Sequence, residues 1–360
     1  MDFKIAEKYF KEDKIRELSS TDDGMRFIKL RSLSRKSQLE YLIQKYSIDV
    51  TYAKSKDWLK IIYESRISQD CIDETISELY EQDRAVRRKN EDQLINELYK
   101  IQSFGWGGLH QNSLEKTIVN NYVKKITSYE SLTSAIENEV HNSMRDYVLA
   151  SWYNHWSSII IEDIFKDHYN VIPAVGLIKK IDFFVNNKPF DLKVTYLPEG
   201  YVKDYRRSHN LSPELTLMKH VSRDLNIAYD RSAPDAVLIP DLWRKLDDNP
   251  DEKSSKLISE LHESREKLLT QAMQNPELLV RWLYENQGER RFDASNRLFL
   301  VLIDKNNFFE SWKLKRAKPL IANSINKFLD SLNGEIGFKL DFDWGDDKYT
   351  TESDVIFVVK

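Results

Sequence analysis

The hydrophobic and polar positions divide this chain into two parts with different periods. In residues 1–172 apolar side chains recur every three or four positions, and no proline interrupts the pattern. This spacing predicts a succession of helices, because residues three and four apart lie on one face of a helix. From about residue 171 onward, short runs of alternating or continuous apolar residues appear, which is the pattern of β-strands.

The same patterns predict the individual segments. Helices are expected over residues 37–46, 53–65, 71–100, 114–126, 134–166, 252–285 and 311–332. Strands are expected over residues 171–175, 178–185, 188–197, 233–240, 297–304 and 354–360. The last two strands are separated by a helix, which indicates a crossover that returns to the same sheet.

These elements predict an α+β fold in two regions. Residues 1–130 are expected to form a helical region. Residues 131–360 are expected to form a core with a central mixed sheet flanked by helices, and a helical insertion at about residues 245–290 interrupts that core. A Ser-x-x-Glu capping signal at Ser134 marks the start of the long helix that opens the core.

A hairpin over residues 178–198 joins two of the predicted strands. Asn186 and Asn187 separate the strands, and asparagine tolerates the positive φ that a two-residue turn requires. A turn of this length pairs Val185 with Lys188. Counting back along both strands from that pair gives the register of the whole hairpin.

This register has a consequence for the acidic residues of the hairpin. It places Asp182 directly opposite Asp191, with Cβ atoms about 5 Å apart, where like charges repel. The arrangement does not stabilise a fold, but a divalent cation between the two carboxylates would remove the repulsion. Lys193 lies two residues further along the strand on the same face as Asp191. The hairpin is therefore the candidate site of chemistry.

Composition and charge limit the environment and the partners. The chain has 54 Lys and Arg against 58 Asp and Glu, so a polyanion would have to bind at a local basic patch. A single cysteine, Cys71, excludes an internal disulfide and fits a reducing compartment. No apolar run approaches the length of a membrane span, and the first residues lack the apolar core of a signal peptide. We expect a cytoplasmic protein that does not contact membranes.

The helix before the hairpin contributes one more acidic residue. Its apolar stripe is expected to pack on the sheet and consists of Trp152, Trp156, Ile159 and Ile160. Glu162 lies at the edge of that stripe. The strand that follows the helix turns the chain back, which could bring Glu162 to the end of the sheet that carries the hairpin carboxylates.

The order of these elements resembles the core of the PD-(D/E)XK nucleases, the fold shared by many restriction endonucleases. That core has a helix with Glu, a strand, a strand with Asp, a strand with Asp-x-Lys, and then a helix and further strands. The matching residues are Glu162, Asp182, Asp191 and Lys193. The resemblance is close over residues 149–197 and loose beyond them, and Ile181 stands where the name of the motif has proline.

The resemblance implies a site for one or two Mg²⁺ ions, for which Mn²⁺ would substitute. Asp182, Asp191 and the main-chain carbonyl of Leu192 would hold one ion, and Glu162 would bind a second ion or orient a water. Lys193 would lower the pKa of the attacking water or stabilise charge on the phosphate. These residue types suit phosphodiester hydrolysis, because a hard cation held by oxygen ligands offsets the charge that develops on phosphate.

Basic residues that could contact DNA form two groups. The group that follows the hairpin consists of Lys203, Arg206, Arg207, His209, Lys219 and Arg223. The group near the N-terminus consists of Arg31, Arg35 and Lys36. A solvated helix face is the alternative interpretation of each group. The first group is favoured because it is next to the proposed site, where paired arginines could read guanine edges or clamp the backbone.

Together these features predict a Mg²⁺-dependent endonuclease of the type II restriction kind that acts on double-stranded DNA. A homodimer is the simplest expectation, because cutting both strands of a symmetric site takes two active centres. Residues 1–130 would then serve target recognition, dimerisation or both. Two alternatives remain open: a less specific anti-phage defence nuclease that acts on DNA or RNA, and a catalytically inactive nucleic-acid-binding module of the same fold.

Two further segments are expected to be structural. The acidic residues 341–347 are interpreted as a loop before the last strand and not as a calcium site, because Gly345 stands where the fifth position should supply a ligand. The glycine-rich residues 104–108 are interpreted as a turn with a packed Trp106.

Overall fold

The computed structural model describes residues 1–103, 118–176, 178, 180–286, 296–332, 337–344 and 347–360. Its strands are β1 (Val171–Pro173), β2 (Phe183–Val185), β3 (Lys188–Tyr196), β4 (Asn296–Ile303), β5 (Phe338–Trp344) and β6 (Asp347–Val359). In the described ranges they form one six-stranded sheet in the order β1-β2-β3-β4-β6-β5.

Helices surround this sheet. Before it lie α1 (Phe3–Lys11), α2 (Ile15–Ser19), α3 (Asp22–Ser32), α4 (Lys36–Lys45), α5 (Trp58–Glu64), α6 (Gln69–Arg88), α7 (Glu91–Tyr99), α8 (Tyr129–Ala135) and α9 (His141–Lys166). Between β3 and β4 lie α10 (Glu199–Ser208), α11 (Glu214–Asp224), α12 (Asp235–Asp247), α13 (Glu252–Gln274) and α14 (Pro276–Asn286). A 3₁₀ segment, Phe308–Arg316, and α15 (Lys318–Asp330) follow β4.

The sheet is mixed, and its strand directions follow from these connections. Strands β1, β2 and β3 form an antiparallel meander, whereas β4 runs parallel to β3, and β6 runs parallel to β4. Parallel neighbours need a long crossover, which the helical insertion supplies before β4 and α15 supplies after it. The predicted α+β class and the crossover between the last two predicted strands are confirmed.

The helix before the hairpin ends at Lys166, as predicted, but it begins earlier. Helix α8, a π-helical turn at Ile136–Val140 and α9 follow one another without a break. Ser128 caps this run because its hydroxyl accepts a hydrogen bond from the N–H of Ser131 at 3.4 Å. Ser134, the predicted cap, lies inside α8. The predicted turn at residues 104–108, and residues 114–117 of the predicted helix over 114–126, lie outside the described residues.

The predicted strand over residues 233–240 is wrong, because this segment is the start of α12. Leu238, Leu242 and Leu246 recur every four residues and are buried in one cluster. Pro234 stands directly before the first helical residue, where proline needs no hydrogen-bond donor. The helices of the insertion therefore begin at Glu199 and fill the interval up to α14, with a hydrophobic cluster of their own.

The predicted loop over residues 341–347 is also wrong at its described residues, and residues 345–346 lie outside them. Its first four residues are the end of β5, and its last residue begins β6. Leu340 and Phe342 are buried and alternate with the exposed Asp341 and Asp343, which is the pattern of a strand with one covered face. The acidic composition of the segment concealed this alternation.

One face of the sheet is covered by α9 and α15. Phe183, Phe190 and Leu300 belong to a single buried cluster with Phe165 of α9 and Ile325 of α15. The rings of Phe165 and Phe183 stack with their centroids 5.0 Å apart. Of the stripe predicted for α9, Ile160 is buried in this cluster, and Trp152 and Trp156 pack at its edge, whereas Ile159 is not part of it.

The other face is covered by two separate groups of helices. The N-terminal helices cover β2, because Phe184 packs in one cluster with Phe27 of α3. Helices α13 and α14 cover the far side of the sheet, where Phe299 of β4 packs with Leu283 of α14. On this face β3 lies between the two covers.

Helix α6 of the N-terminal region is joined to α9 by buried ion pairs. Arg84 is only 2% exposed, and its guanidinium lies 2.9 Å from the carboxylate of Asp167 and 3.5 Å from that of Asp163. Burial opposes ionisation of Asp167, but hydrogen bonds from Arg84 and Tyr80 outweigh it and lower the pKa of that carboxyl.

Among the helices of the described ranges, none is both long and apolar enough to cross a membrane.

Candidate active site

The hairpin turn has the predicted length. Asn186 and Asn187 have φ of 48° and 58°, and Val185 pairs with Lys188. Two consecutive residues with positive φ are typical of the turn that matches the twist of a two-residue hairpin. The choice of asparagine at both positions therefore sets the register of β2 against β3.

The ladder stops one pair short of the two aspartates. Phe183 pairs with Phe190, and the N–H of Asp182 also donates to the carbonyl of Phe190 at 2.8 Å. Asp182 and Phe183 therefore both lie opposite Phe190, and two residues opposite one form a β-bulge. The predicted direct pairing of Asp182 with Asp191 is therefore wrong, because the extra residue of the bulge changes the register before the ladder reaches them.

The bulge gives the side chain of Asp182 a defined position. Its Oδ2 accepts a hydrogen bond from the main-chain N–H of Leu192 at 2.7 Å. The carboxylate thus occupies the place where a strand would present a main-chain acceptor. This hydrogen bond fixes the side chain of Asp182 beside Leu192 of β3, which is the residue between Asp191 and Lys193.

The environment of Asp182 opposes its ionisation. Burial is the main cause, followed by the negative charge of Glu162, and together they raise its pKa to about 6. The negative charge of Asp191 also raises this pKa, whereas the hydrogen bond from Leu192 and the positive charge of Lys166 lower it. The three carboxylates predicted to form the site therefore interact electrostatically.

Asp191 is buried and faces two cations. The Nζ of Lys193 lies 2.7 Å from its Oδ1, and the Nε of Arg297 lies 3.7 Å from its Oδ2. Asp191 and Arg297 are neighbours in the parallel ladder between β3 and β4, which explains why their side chains meet. Lys193 keeps 46% of its side chain exposed, so its ammonium remains accessible from solvent.

Glu162 lies on α9 and is about one-third exposed. Its Oε2 accepts a hydrogen bond from the Nζ of Lys166, one turn later, at 2.9 Å. The stacking of Phe165 on Phe183, the neighbour of Asp182, brings the end of α9 close to the bulge, and the charge of Glu162 raises the pKa of Asp182. The structure thus brings all four residues of the predicted motif to one region.

The donor set suits a hard cation by its chemistry. No group of three or more His, Cys, Asp and Glu residues is arranged as a metal site within the ranges that the structure describes. Asp182, Asp191 and Glu162 nevertheless supply only oxygen donors, the type that Mg²⁺ prefers. A cation near Asp182 would favour its ionised form and so counteract the burial and the repulsion that raise its pKa.

The predicted DNA-contacting groups differ in their availability. Arg206 is buried, and its guanidinium donates to the carbonyl of Ser212 at 2.7 Å and to the hydroxyl of Ser264 at 2.9 Å. Arg206 is therefore not available for the predicted DNA contact, because these bonds join α10 to the loop that follows it and to α13. The residues of this group with exposed or partly exposed side chains are Lys203, Arg207, His209, Lys219 and Arg223.

The basic residues of the N-terminal group also differ in their exposure. Arg35 and Lys36 are exposed, and each lies near an acidic residue, at 4.0 Å from Asp83 and 3.2 Å from Glu40 respectively. Arg31 is turned into a cavity of the helical region, and its guanidinium lies 4.9 Å from the centre of the Phe10 ring. Arg31 lies on α3, whereas Arg35 and Lys36 lie at the start of α4, so the three residues do not share one helix face.

Arg297 is a site residue that the motif did not include. It begins the continuous apolar run of β4 and is buried, with its guanidinium 4.9 Å from the centre of the Tyr284 ring. A charged residue at the start of a buried strand needs a partner, and this was the available signal. The pairing itself depends on β3 and β4 being neighbours across the long insertion.

Comparison with known proteins gives no relatives, because the chain matches no family model, no curated protein and no solved structure.

Proposed function

We propose that this protein is a Mg²⁺-dependent DNA endonuclease of the restriction type, with the PD-(D/E)XK arrangement of active-site residues. The observation that carries the proposal is the position of Asp182, whose pKa is raised by burial and by Glu162 and Asp191. Perturbed carboxyls beside a positioned lysine are typical of functional sites. The order helix, antiparallel meander, helices and parallel strand supports the same reading.

In this proposal the ligands of the first ion come from the hairpin, and α9 contributes Glu162. Asp182, Asp191 and the main-chain carbonyl of Leu192 would hold Mg²⁺, and Glu162 would hold a second ion or orient a water. The ion, for which Mn²⁺ would substitute, offsets the negative charge that develops on the phosphate during hydrolysis.

Lys193 contributes the positive charge that the chain itself supplies. An ammonium group has three donors, and its hydrogen bond to Asp191 uses one of them. The others can bind a phosphate oxygen or the attacking water, because the side chain is about half exposed. Arg297, on the opposite side of Asp191, holds that carboxylate in place.

The exposed basic residues of α10 and α11 would bind double-stranded DNA. They follow β3 directly in the chain, so a duplex bound there would reach Lys193. A homodimer would supply the second active centre for the second strand, and the N-terminal helices would serve target recognition or dimerisation. A cytoplasmic location belongs to the same proposal.

A binding module without catalysis is the second candidate, and one observation favours it. Both oxygens of Asp191 face cations, with Lys193 at 2.7 Å and Arg297 at 3.7 Å. If Asp191 keeps these partners in the presence of Mg²⁺, it does not act as a metal ligand.

Incubation with plasmid DNA in Mg²⁺, in Mn²⁺ and in EDTA distinguishes the candidates. Discrete fragments in either metal and none in EDTA support a restriction enzyme. A smear of products indicates a less specific nuclease, for which RNA is the second substrate to assay. Intact plasmid under every condition contradicts the proposal and leaves the binding module, which gel-shift measurements with the same DNA then test.

A further inference from the structure

A cavity of about 730 Å³ lies in the N-terminal helical region. Residues from α1 to α5 and from the segments between these helices line it, and Glu162, Asp182, Asp191 and Lys193 do not. Its volume is in the range of small-molecule binding sites, which are about 300–1,000 Å³. The cavity is therefore large enough for a ligand and is separate from the proposed active site.

The wall of the cavity contains a buried donor that lacks an acceptor. The Nε of Arg31 is buried and has no hydrogen-bond partner within the described part of the chain. An unpaired buried donor destabilises a fold by roughly 1–3 kcal/mol, and a charged group by more. Because the Nε is buried, it would bond to a ligand only if the Arg31 side chain shifts toward the cavity that it lines, where its guanidinium fork suits phosphate or carboxylate oxygens.

The charges around Arg31 also favour an anion. Two of the acidic residues of the lining are already paired, Glu7 with Lys11 at 3.2 Å and Asp13 with Lys180 at 2.9 Å. Outside these two pairs, the charged residues of the lining are one acidic residue, Asp57, and three basic residues, Arg31, Lys56 and Lys60. Lys60 lies 3.7 Å from Glu64, but this pair is exposed and is therefore weak.

The remaining wall suits a flat ring. Phe3, Phe10 and Leu59 line the cavity, and Arg31 already stacks on the Phe10 ring. Aromatic rings and arginine planes are the surfaces on which nucleobases stack in proteins. A ligand that combines a planar base with an anionic group matches both parts of the cavity.

We propose that this cavity is a nucleotide-binding site, in which Arg31 and Lys56 bind the phosphate and Phe10 contacts the base. The ligand is a nucleoside monophosphate, either free or as one nucleotide of a DNA or RNA strand. This site goes beyond the proposed nuclease function and does not depend on it, because no residue of the active site takes part.

Isothermal titration calorimetry without divalent metal tests the proposal. The probes are the four nucleoside 5′-monophosphates and a six-nucleotide single-stranded DNA. Unmodified protein is expected to bind at least one of them, with a Kd between about 1 μM and 1 mM. Arg31→Met should weaken binding at least tenfold, and Lys56→Glu, at an exposed position that does not endanger folding, should weaken it at least threefold.

Arg16→Met is the matched control, because Arg16 is an exposed arginine of α2 outside the cavity, and it should bind as the unmodified protein does. Binding of the monophosphates identifies a free nucleotide as the ligand, and binding of the oligonucleotide alone identifies a nucleotide within a strand. The proposal is overturned if no probe binds, or if Arg31→Met and Lys56→Glu bind as tightly as the control.

Discussion

The carboxyl of Asp182 couples the site to the pH dependence of stability. Its pKa of about 6 in the folded chain exceeds the ordinary value of 3.8, mainly because of burial and the charge of Glu162. Stability from such a group is fully present below the ordinary pKa and is lost as the pH rises through the folded pKa. Ionisation of Asp182 above pH 7 lowers the free energy of unfolding by at most about 3 kcal/mol.

Asp182→Asn removes this cost, because the amide has no charge and its oxygen can still accept the hydrogen bond from Leu192. At pH 7.5 the variant should be more stable than the unmodified protein, by up to about 3 kcal/mol. The difference should shrink between about pH 6 and pH 4. Urea unfolding at a series of pH values measures it, and a difference that does not vary with pH would contradict the role given to Asp182.

Magnesium should act on the same carboxylate. Because a ligand that binds only the folded state stabilises it, millimolar Mg²⁺ should raise the thermal midpoint of the unmodified protein at pH 7.5. Asp182→Asn should show little of this increase. Ca²⁺ and EDTA serve as the second ion and the blank in the same thermal melts. An equal increase in both proteins would place the metal elsewhere.

Residue patterns predicted part of this site and missed the rest. The alternation of Asp191 and Lys193 with apolar neighbours was enough to place them on one face of β3. The bulge at Asp182 depends on a side-chain hydrogen bond to Leu192, which alternation does not encode. Arg297 was missed because its contact with Asp191 needs the pairing of two strands that are distant in sequence.

At the scale of elements, the connection from β1 to β2 determines where Asp182 lies. Gly176 in this connection packs against the N-terminal helices so closely that an added Cβ would lie 2.1 Å from the carbonyl oxygen of Ser32. Gln38 of α4 also donates to the carbonyl of Val175 at 3.2 Å. The N-terminal helices thus hold the segment that leads into the site.

Gly176→Ala should therefore displace this segment. The clash is with main chain, so we expect a loss of about 1–3 kcal/mol in unfolding free energy, as in other overpacked interiors. Plasmid cleavage should fall as well, because the segment positions Asp182. Urea unfolding and cleavage assays measure the two effects, and an unchanged unfolding midpoint would show that the contact is looser than described.

Helices and strands were predictable where a single spacing of apolar residues, helical or strand-like, dominated the segment. The hairpin turn, the buried β4 and the end of α9 agree with the sequence pattern. The segment 233–240 was assigned to a strand because its short apolar run fits either element, and the buried leucines that decide for α12 extend beyond it. Short apolar runs do not distinguish strand from helix without their partners.

At the scale of the whole molecule, the N-terminal helices and the sheet are joined through Arg84. Arg84→Met would remove a buried guanidinium that pairs with Asp167 and with the buried Asp163, which keeps Arg87 as its closer partner. Breaking a buried pair typically costs up to about 3–5 kcal/mol. Arg88→Met is the control, because Arg88 also pairs with Asp167 but is 45% exposed. The control should cost under about 1 kcal/mol. Equal losses in urea unfolding would contradict the importance of the buried pair.

The position of the site between two helical covers is a property of the whole chain. The N-terminal helices cover β2 and α13–α14 cover β4, which leaves Lys193 of β3 accessible between them. Sequence patterns indicate which face of each element is apolar, but they do not show which elements meet. The accessibility of Lys193 therefore could not be predicted from its strand.

The most direct test of the proposed chemistry is the rate of plasmid cleavage in Mg²⁺ by Lys193→Ala compared with Lys188→Ala. Both lysines lie on β3 and pair with an acidic residue, Lys193 with Asp191 and Lys188 with Glu352. Lys193→Ala should be slower by about 10²-fold or more, as expected for loss of a group that stabilises transition-state charge. Lys188→Ala should retain the rate of the unmodified protein. Equal rates in the two variants would contradict the assignment of this site.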